Sequence, residues 1–178
     1  MSREIKYRFC PECGARMSQQ PDPGGGPPLM ECSRCGLVIH LDPKVAVAGL
    51  LTRDGAVLLL KRAREPRKGF WCLPGGYVDR GETLEAGLTR EVIEETGFSV
   101  EVKDLIGLYS YPDYPVVVAI YKAAILGGNL PPGPELLEAR WFKPDELPWE
   151  DLAFASTKEA LASWAGFNPA GETQPPAD

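Results

Sequence analysis

A glutamate-rich segment between residues 82 and 97 is the part of the chain whose spacing most directly indicates chemistry. On a helix, Glu91 and Glu95 lie one turn apart and Glu94 lies three residues after Glu91, so three carboxylates crowd one edge. Such crowding is electrostatically unfavourable unless a cation is present. Hard oxygen ligands of this kind suit Mg²⁺, or Mn²⁺ in its place. The alternative for an isolated segment of this composition is an ordinary solvated acidic helix.

Neighbouring residues can organise these carboxylates. Arg90 is adjacent to Glu91 and four residues before Glu94, so its guanidinium can orient one carboxylate while a metal binds the others. The Gly75-Gly76 pair permits a close approach of the backbone, which would let the Gly75 carbonyl oxygen join the metal shell.

A second set of residues that could do chemistry is formed by cysteines. Four of the five cysteines form two CxxC pairs, Cys10 with Cys13 and Cys32 with Cys35. Two such turns facing each other give a tetrahedral S₄ site, which Zn²⁺ prefers, and a closed site of this type is structural. The alternatives are two disulfides or free thiols. A segment of about forty residues with few apolar side chains cannot form a sufficient hydrophobic core and needs a bound metal or a cross-link to fold, which favours zinc. The fifth, Cys72, is expected in the core.

The acidic helix is expected to rest on a sheet. Two strands, 45–52 and 56–63, are joined at Asp54-Gly55, which supplies the positive φ angles of a tight hairpin. The stretch 69–76 is rich in glycine and aromatic residues and is predicted to be irregular. A helix is predicted from about Thr83 to Thr96, with apolar Leu84, Leu88 and Val92 on its inner face and Gly97 as its C-terminal cap.

Further elements are predicted towards the C-terminus. Strands are expected at 99–109, 116–124 and 139–143. A last helix is predicted from Ser156, because Ser156 and Glu159 have the spacing of a capping box, with Ala160, Leu161 and Trp164 facing inward. Strands mixed with two helices indicate an α/β or α+β sandwich.

Composition sets the class of protein. The chain has 178 residues, is 44% hydrophobic and 25% charged, and carries a formal net charge of −6. These values are typical of a globular protein. The negative net charge argues against a general nucleic-acid binder, although local basic patches are compatible with it. No apolar run approaches the ~20 residues that span a bilayer, and no secretory signal is visible. We therefore expect a cytoplasmic protein with a zinc ribbon at 1–41, a catalytic domain at 42–166 and a flexible tail at 167–178.

The acidic segment resembles the Nudix box at every fixed position. The pattern is G-x5-E-x7-R-E-U-x-E-E-x-G-U, where U is bulky and apolar, and it is filled by Gly76, Glu82, Arg90, Glu91, Val92, Glu94, Glu95, Gly97 and Phe98. The resemblance covers roughly residues 43–165. It implies a Nudix hydrolase with an α/β/α sandwich around a mixed sheet, in which a metal-activated water attacks one phosphorus of a P–O–P linkage.

The resemblance also implies residue roles. Glu91, Glu94 and Glu95 would be Mg²⁺ ligands, with the Gly75 carbonyl joining them, and Glu82 would be an outer metal contact. Arg90 would orient a carboxylate. The general base would be a box glutamate or one from a later loop, where Glu138 is the candidate and Glu135 is the next.

The presence of a zinc ribbon before a Nudix domain narrows the range of expected substrates. The S-Q-P-W-P-F-P stretch typical of NADH pyrophosphatases is absent after the box. The chain is more similar to the group of plant-type FAD pyrophosphatases and ADP-ribose pyrophosphatases, in features such as Asp42-Pro43-Lys44 and Pro132-Gly133-Pro134-Glu135. FAD or ADP-ribose is therefore the expected substrate, cleaved to AMP and a second monophosphate. Three aromatic residues are candidates for stacking on it: Trp71, Tyr111 and Tyr114.

Other functions remain open from the sequence. The substrate can instead be NADH or an oxidised nucleoside triphosphate, which would be told apart by the products. A non-catalytic nucleotide sensor is a further alternative, although degraded box glutamates would be its signature and all are intact here. By the same resemblance the chain would act on a small dinucleotide as a homodimer, without a membrane partner.

Overall fold

The chain forms two compact units. The computed structural model describes residues 7–21, 24–26, 28–40, 42–112, 114–129 and 136–166. One unit holds the residues up to Pro43 together with Pro112, Tyr114 and Pro115, and the other holds the residues from Lys44 to Tyr111 and from Val116 onward. The domain limits predicted from the sequence stay predictions, and the predicted tail at 167–178 lies outside the described residues.

The smaller unit is a three-stranded antiparallel sheet. Its strands are β1 (Met17–Gln20), β2 (Leu29–Cys32) and β3 (Val38–Ile39), in the order β1-β2-β3. Among the described residues of this unit, Cys10 and Cys32 are the buried hydrophobic ones, at 3% and 1% exposure. This small number of buried side chains supports the expectation that the unit depends on its cysteines for stability.

The larger unit is a mixed seven-stranded sheet with helices on both faces. Its elements, in chain order, are β4 (Lys44–Arg53), β5 (Ala56–Arg62), β6 (Trp71–Cys72), β7 (Gly75–Tyr77), α1 (Leu84–Thr96), β8 (Phe98–Tyr111), β9 (Tyr114–Gly128), β10 (Leu136–Phe142), two 3₁₀ turns (Pro144–Glu146 and Trp149–Asp151) and α2 (Ala155–Trp164). The strand order is β10-β5-β4-β9-β8, with β6 beside β5 and β7 beside β4. The sheet is mixed because β4 runs parallel to β9 but antiparallel to β5 and β7.

Each face of this sheet has its own core. Alternation along β5 sends Leu58 and Leu60 to the core that contains Leu88 of α1. It sends Val57 and Leu59 to the opposite core, together with inward residues of α2. The predicted α/β/α sandwich is therefore confirmed, and the near-continuous apolar run in β5 is explained by burial on both sides.

The predicted acidic helix is confirmed at both ends. The Thr83 side chain caps α1 by accepting a hydrogen bond from the Ala86 backbone N–H at 3.2 Å. Gly97 takes the left-handed conformation, with φ of 67°, and its N–H bonds to the Ile93 carbonyl. The hairpin of β4 and β5 is also confirmed, with Asp54 and Gly55 both at positive φ.

Two predictions about local structure are wrong. The stretch 69–76 contains β6 and the first two residues of β7, which pair with β5 and β4. The last helix begins at Ala155, and its N-cap, Phe154, makes no side-chain cap. Ser156 is only 4% exposed and lies inside the helix, so the predicted capping box does not form. Tertiary packing thus overrides the local cap signal.

Candidate functional site

Arg90 is the centre of the site. From α1 its Nε donates to Glu82 Oε1 at 2.8 Å, and its Nη1 donates to Glu91 Oε1 at 2.9 Å. The same Nη1 lies 3.4 Å from Glu94 Oε2, and Nη2 donates to the Tyr77 carbonyl at 3.0 Å. The planar fork of arginine suits this arrangement because several donors leave one rigid group. Arg90 thus contacts the carboxylates of Glu82, Glu91 and Glu94, and its orienting role stays a prediction.

Glu82 anchors Arg90 to the loop before the helix. Its carboxylate accepts from Arg90 through both oxygens and from the Asp79 backbone N–H at 3.0 Å. The hydrogen bonds from Arg90, followed by the one from Asp79, lower the pKa of Glu82 to about 2. Both oxygens thus have protein donors, which is the geometry of a positioning residue. Its contact with a metal stays a prediction.

Glu91 is held against the backbone of β7. A Cβ atom on Gly76 would lie 2.5 Å from both of its carboxylate oxygens, so the carboxylate rests directly on the glycine. The side chain is 17% exposed, and burial raises its pKa although the adjacent Arg90 acts in the opposite direction. Glycine is therefore required at position 76, because a side chain there would collide with the Glu91 carboxylate.

Glu95 contacts Gly75 in a way that the sequence did not indicate. The Gly75 N–H donates to Glu95 Oε2 at 2.8 Å, whereas the sequence analysis expected the Gly75 carbonyl to matter. Gly75 has φ of 149°, and a Cβ there would lie 2.7 Å from Ala48 Cα. Glu94, by contrast, is 59% exposed at the same helix edge. The three predicted metal ligands therefore share one end of α1, each in a different environment.

The four ribbon cysteines converge as a metal site requires. Their Sγ atoms all lie within 4.8 Å of one another, and within the described residues no other group of three or more potential ligands gathers so closely. The Sγ atoms of Cys10 and Cys35 are 3.6 Å apart, and those of Cys13 and Cys32 are 3.5 Å apart. These distances exceed an S–S bond of about 2.05 Å. They are near the ~3.8 Å expected across a tetrahedral site with Zn–S of about 2.3 Å.

The backbone of the ribbon suits the two CxxC turns and favours the thiolate of one cysteine, Cys32. Gly14 and Gly36 have φ of 72° and 74°, as the turn after each CxxC pair requires. Backbone N–H groups of Cys35 and Arg34 lower the pKa of Cys32 to about 6, which favours its thiolate. The disulfide alternative is therefore not supported, and the fit to Zn²⁺ is good.

Trp71, a candidate for stacking on substrate, is a buried residue of β6. It is 6% exposed and meets the Phe142 ring edge-on at a centroid distance of 4.9 Å. Trp71 belongs to the core that includes residues of α2, and its stacking on substrate stays a prediction. Tyr111 donates to Glu159 Oε1 at 2.9 Å, and Tyr114 is 42% exposed. Substrate contacts of these two tyrosines stay predictions.

Glu138 lies on the sheet face that α1 does not cover. It is directly opposite Lys61 in the β5–β10 ladder, and Lys61 Nζ is 3.8 Å from its carboxylate. Lys61 follows Leu60 of the α1-side core, and alternation therefore turns it to the other face. Its role as general base stays a prediction, and Glu135 lies outside the described residues.

The sequence analysis missed two backbone contributions. The Tyr77 carbonyl and the Asp79 N–H fix Arg90 and Glu82, and main-chain groups carry no signature of their own in a sequence. A signal was available in Asp79-Arg80-Gly81, a turn with Gly81 at φ of 92°. Cys72 was correctly expected in the core, at 7% exposure.

Comparisons with known proteins agree with this fold and site. Residues 41–164 match the NUDIX domain. The chain is 41% identical over 124 residues to a Methanocaldococcus jannaschii protein named ADP-ribose pyrophosphatase, covering 67% of this chain and 72% of that one. A Pseudomonas aeruginosa NAD-capped RNA hydrolase NudC is 35% identical over 146 residues, which cover 79% of this chain and 49% of NudC.

A solved structure extends the similarity to most of the chain. The crystal structure of a NUDIX hydrolase from Nitrosomonas europaea has a TM-score of 0.84 and 34% identity, and covers 93% of this chain and 94% of that one. The chain therefore belongs to the Nudix family of pyrophosphohydrolases. In the described part of the chain, no helix is long and apolar enough to cross a membrane.

Proposed function

We propose that this Nudix protein hydrolyses the P–O–P linkage of ADP-ribose or FAD, giving AMP together with ribose 5-phosphate or FMN. The observation that carries the proposal is the arrangement of box glutamates around Arg90. A guanidinium that fixes two carboxylates through short hydrogen bonds leaves the helix edge rigid and rich in acceptor oxygens.

The residues fit a divalent cation. Glu91, Glu94 and Glu95 carry three negative charges at one end of α1, and Arg90 is the cation that lies among them. These three carboxylates would hold Mg²⁺ or Mn²⁺. When bound, the ion lowers the pKa of a water and offsets the charge that develops on phosphoryl oxygens.

The protein's own contribution is to fix the carboxylates before substrate arrives. Glu82 holds Arg90, and Arg90 in turn holds Glu91 over Gly76. The Gly75 N–H holds Glu95. Positioning of this kind lowers the barrier because little reorganisation remains when the reaction begins.

The choice of substrate rests on the relatives. ADP-ribose is supported by the Methanocaldococcus relative, which is named for that substrate and shares 41% identity. NudC is named for NAD-capped RNA, so NAD(H) is the second candidate. A Bacillus subtilis relative, 35% identical over 100 residues, is named a putative 8-oxo-dGTP diphosphatase, so triphosphates are a third. FAD rests on sequence resemblance alone.

A product assay tests the proposal. ADP-ribose, FAD, NADH and a nucleoside triphosphate are each incubated with the protein and Mg²⁺, and products are separated by chromatography. We expect AMP from ADP-ribose or FAD. Glu94→Gln should abolish it, and Glu101→Gln, the same change at an exposed position of β8, should have no effect. Pyrophosphate release from the triphosphate would instead favour the third candidate.

The sensor alternative makes the opposite prediction. A non-catalytic regulator would bind one of the four compounds without turning it over. If calorimetry shows tight binding of one compound and no AMP is formed, the proposed function would be a nucleotide sensor and not an enzyme. The intact box and the ordered Arg90 contacts favour the enzyme.

The remaining parts of the proposal concern assembly. We propose that the ribbon binds one structural Zn²⁺ through Cys10, Cys13, Cys32 and Cys35. We also propose that the protein is a cytoplasmic homodimer, which light scattering in solution would test. A monomer at micromolar concentration would contradict the dimer and leave the chemistry unaffected.

A further inference from the structure

The hydrogen-bonding capacity of Arg90 is used within the protein. Its guanidinium makes five hydrogen bonds to protein acceptors, as many as it has N–H groups. Four of these acceptors are carboxylate oxygens, and the fifth is the Tyr77 carbonyl oxygen. The proposed substrate carries two anionic phosphates, and negative charge builds on the one that leaves. A further cation would stabilise that charge, and it must come from another residue.

The end of α1 that carries the box glutamates lies along one edge of β7. The Gly75 N–H donates to Glu95, and the Tyr77 carbonyl accepts from Arg90. The N–H of Val78, one residue further on, donates instead to a β4 carbonyl at 3.0 Å. Because successive residues of a strand direct their backbone groups to opposite sides, Gly75 and Tyr77 direct theirs away from β4. We call this side the outer edge of β7.

The Tyr77 ring lies on the sheet face that α1 does not cover. Gly76 is opposite Val47 in the β4–β7 pairing, and Val47 belongs to the core that contains Leu88 of α1. Tyr77 is opposite Ala46, the preceding residue of β4. Because side chains alternate along a strand, both turn to the other face of the sheet. A group bound at the outer edge of β7 therefore has the box glutamates on one side and the Tyr77 ring on the other.

Lys44 supplies a cation at this position. By the same alternation it shares the sheet face of Ala46, and its Nζ lies over the Tyr77 ring at 4.6 Å from the centroid. Both side chains are exposed. The ring attracts the ammonium through its negative face, but it is neutral and so leaves the positive charge uncompensated. The pair therefore presents a positioned ammonium to solvent beside the outer edge of β7.

We propose that Lys44, positioned by the Tyr77 ring, binds a non-bridging oxygen of the phosphate that leaves when water attacks the other phosphorus. This inference rests on the proposed function and adds a substrate-binding residue to it. The water oxygen forms a bond to the attacked phosphorus, and the bond from that phosphorus to the bridging oxygen breaks. The bridging oxygen leaves with the electron pair on the second phosphate. The two protons of the water are released as the two monophosphates ionise, and Lys44 keeps its own proton throughout.

Kinetics of single variants with ADP-ribose and FAD test the contact. Lys44→Gln removes the charge, and Lys44→Arg retains it. Arg80→Gln removes another cation close in sequence, in the turn before Glu82. Lys122→Gln is a distant control, because Lys122 is opposite Leu50 in the parallel β4–β9 pairing, six residues or about 20 Å along β4 from Lys44. All three lysine and arginine positions are exposed, so folding should be retained.

Only the loss of the Lys44 charge should reduce activity strongly. We expect Lys44→Gln to lower kcat/KM about 10- to 100-fold, the effect of one charge-assisted hydrogen bond, and Lys44→Arg to retain most of the activity. Arg80→Gln and Lys122→Gln should change kcat/KM by less than about threefold. The Mg²⁺ concentration for half-maximal activity should be unchanged in Lys44→Gln, since Lys44 lies on the sheet face opposite to the box glutamates. Wild-type kcat/KM in Lys44→Gln, or an equal loss in either control, would overturn the inference.

A double-mutant cycle tests the positioning role of Tyr77. Tyr77→Leu should lower kcat/KM about 2- to 5-fold through loss of an exposed cation–π contact, whereas Tyr77→Phe should keep the wild-type value. Added to Lys44→Gln, Tyr77→Leu should cause no further loss, because no ammonium remains to be positioned. Additive losses would show that the ring acts on the substrate by itself and would overturn the positioning of Lys44 by Tyr77.

Binding of an uncleavable analogue separates this inference from the proposed function. ADP-ribose with a methylene group in place of the bridging oxygen keeps both phosphates, and calorimetry measures its affinity without turnover. If the wild type hydrolyses no dinucleotide but binds the analogue at least about tenfold more tightly than Lys44→Gln does, the proposed function fails and the phosphate contact stands. If the wild type hydrolyses a dinucleotide and Lys44→Gln has the same kinetics and affinity, the inference fails alone. Neither hydrolysis nor analogue binding by the wild type would overturn both.

Discussion

Replacement of Gly76 by alanine should damage catalysis while leaving the fold intact. The added Cβ would lie 2.5 Å from both carboxylate oxygens of Glu91, whereas ordinary contacts begin at 3.4 Å. The Glu91 carboxylate must therefore move by about 1 Å, because β7 is fixed by its pairing with β4. The displacement would also disturb the 2.9 Å hydrogen bond from Arg90.

The size of the effect follows from the displacement. Misplacing a catalytic group by about 1 Å costs on the order of 10²-fold in rate. A 100-fold loss corresponds to about 2.7 kcal/mol in the activation barrier. We therefore expect kcat for ADP-ribose or FAD to fall about 100-fold. KM should change little, since Glu91 is not proposed to contact the nucleoside.

Steady-state kinetics with Mg²⁺ and thermal unfolding measure the two parts of this prediction. Gly127→Ala in β9 is a matched control, because a Cβ there meets no atom within 4 Å. Neither glycine has a positive φ that would make alanine strained. Wild-type kcat in Gly76→Ala, with an unchanged melting temperature, would refute the idea that the Glu91 position depends on this contact. A large fall in the melting temperature would make the loss a folding effect instead.

Three further predictions concern stability. Purified protein should contain one Zn²⁺ per chain by elemental analysis. Removal of the metal with a chelator should abolish hydrogen-exchange protection in the ribbon before it does so elsewhere. Unchanged protection in the metal-free ribbon would contradict the S₄ site. Because the pKa of Glu82 falls from 4.5 to about 2 on folding, its stabilising effect is complete above pH 4.5 and disappears as the pH falls towards 2. The melting-temperature difference between wild type and Glu82→Gln should therefore shrink over that range, and a constant difference would exclude the ionic contribution. Thr83→Ala should lower the free energy of unfolding by about 1 kcal/mol through loss of the α1 cap, and Thr83→Ser should restore most of it.

Local signals were sufficient for much of the fold. Both ends of α1 followed from Thr83 and Gly97, because caps depend on backbone conformations that few residues adopt. The β4–β5 hairpin followed from Asp54-Gly55 for the same reason. At the last helix the local signal failed, because α2 begins at Ala155 and Ser156 is a buried residue within it, so no capping box forms.

The candidate site divides in a similar way. The spacing of Arg90, Glu91, Glu94 and Glu95 determined which side chains share the end of a helix, because helical periodicity is a local property. The two CxxC pairs likewise indicated four thiolate ligands for a metal, because the spacing within each pair is also a local property. What the sequence could not supply was the partner of each group across long separations in the chain.

Tertiary structure alone decided those partners. It placed Glu91 on Gly76, turned the Gly75 N–H to Glu95, and packed Trp71 against Phe142. It also set Glu138 on the sheet face away from α1. Each of these outcomes depends on which strands are neighbours and which face each residue takes. Strand order and facing are set by burial of the whole sheet, and a one-residue change in register would reverse them.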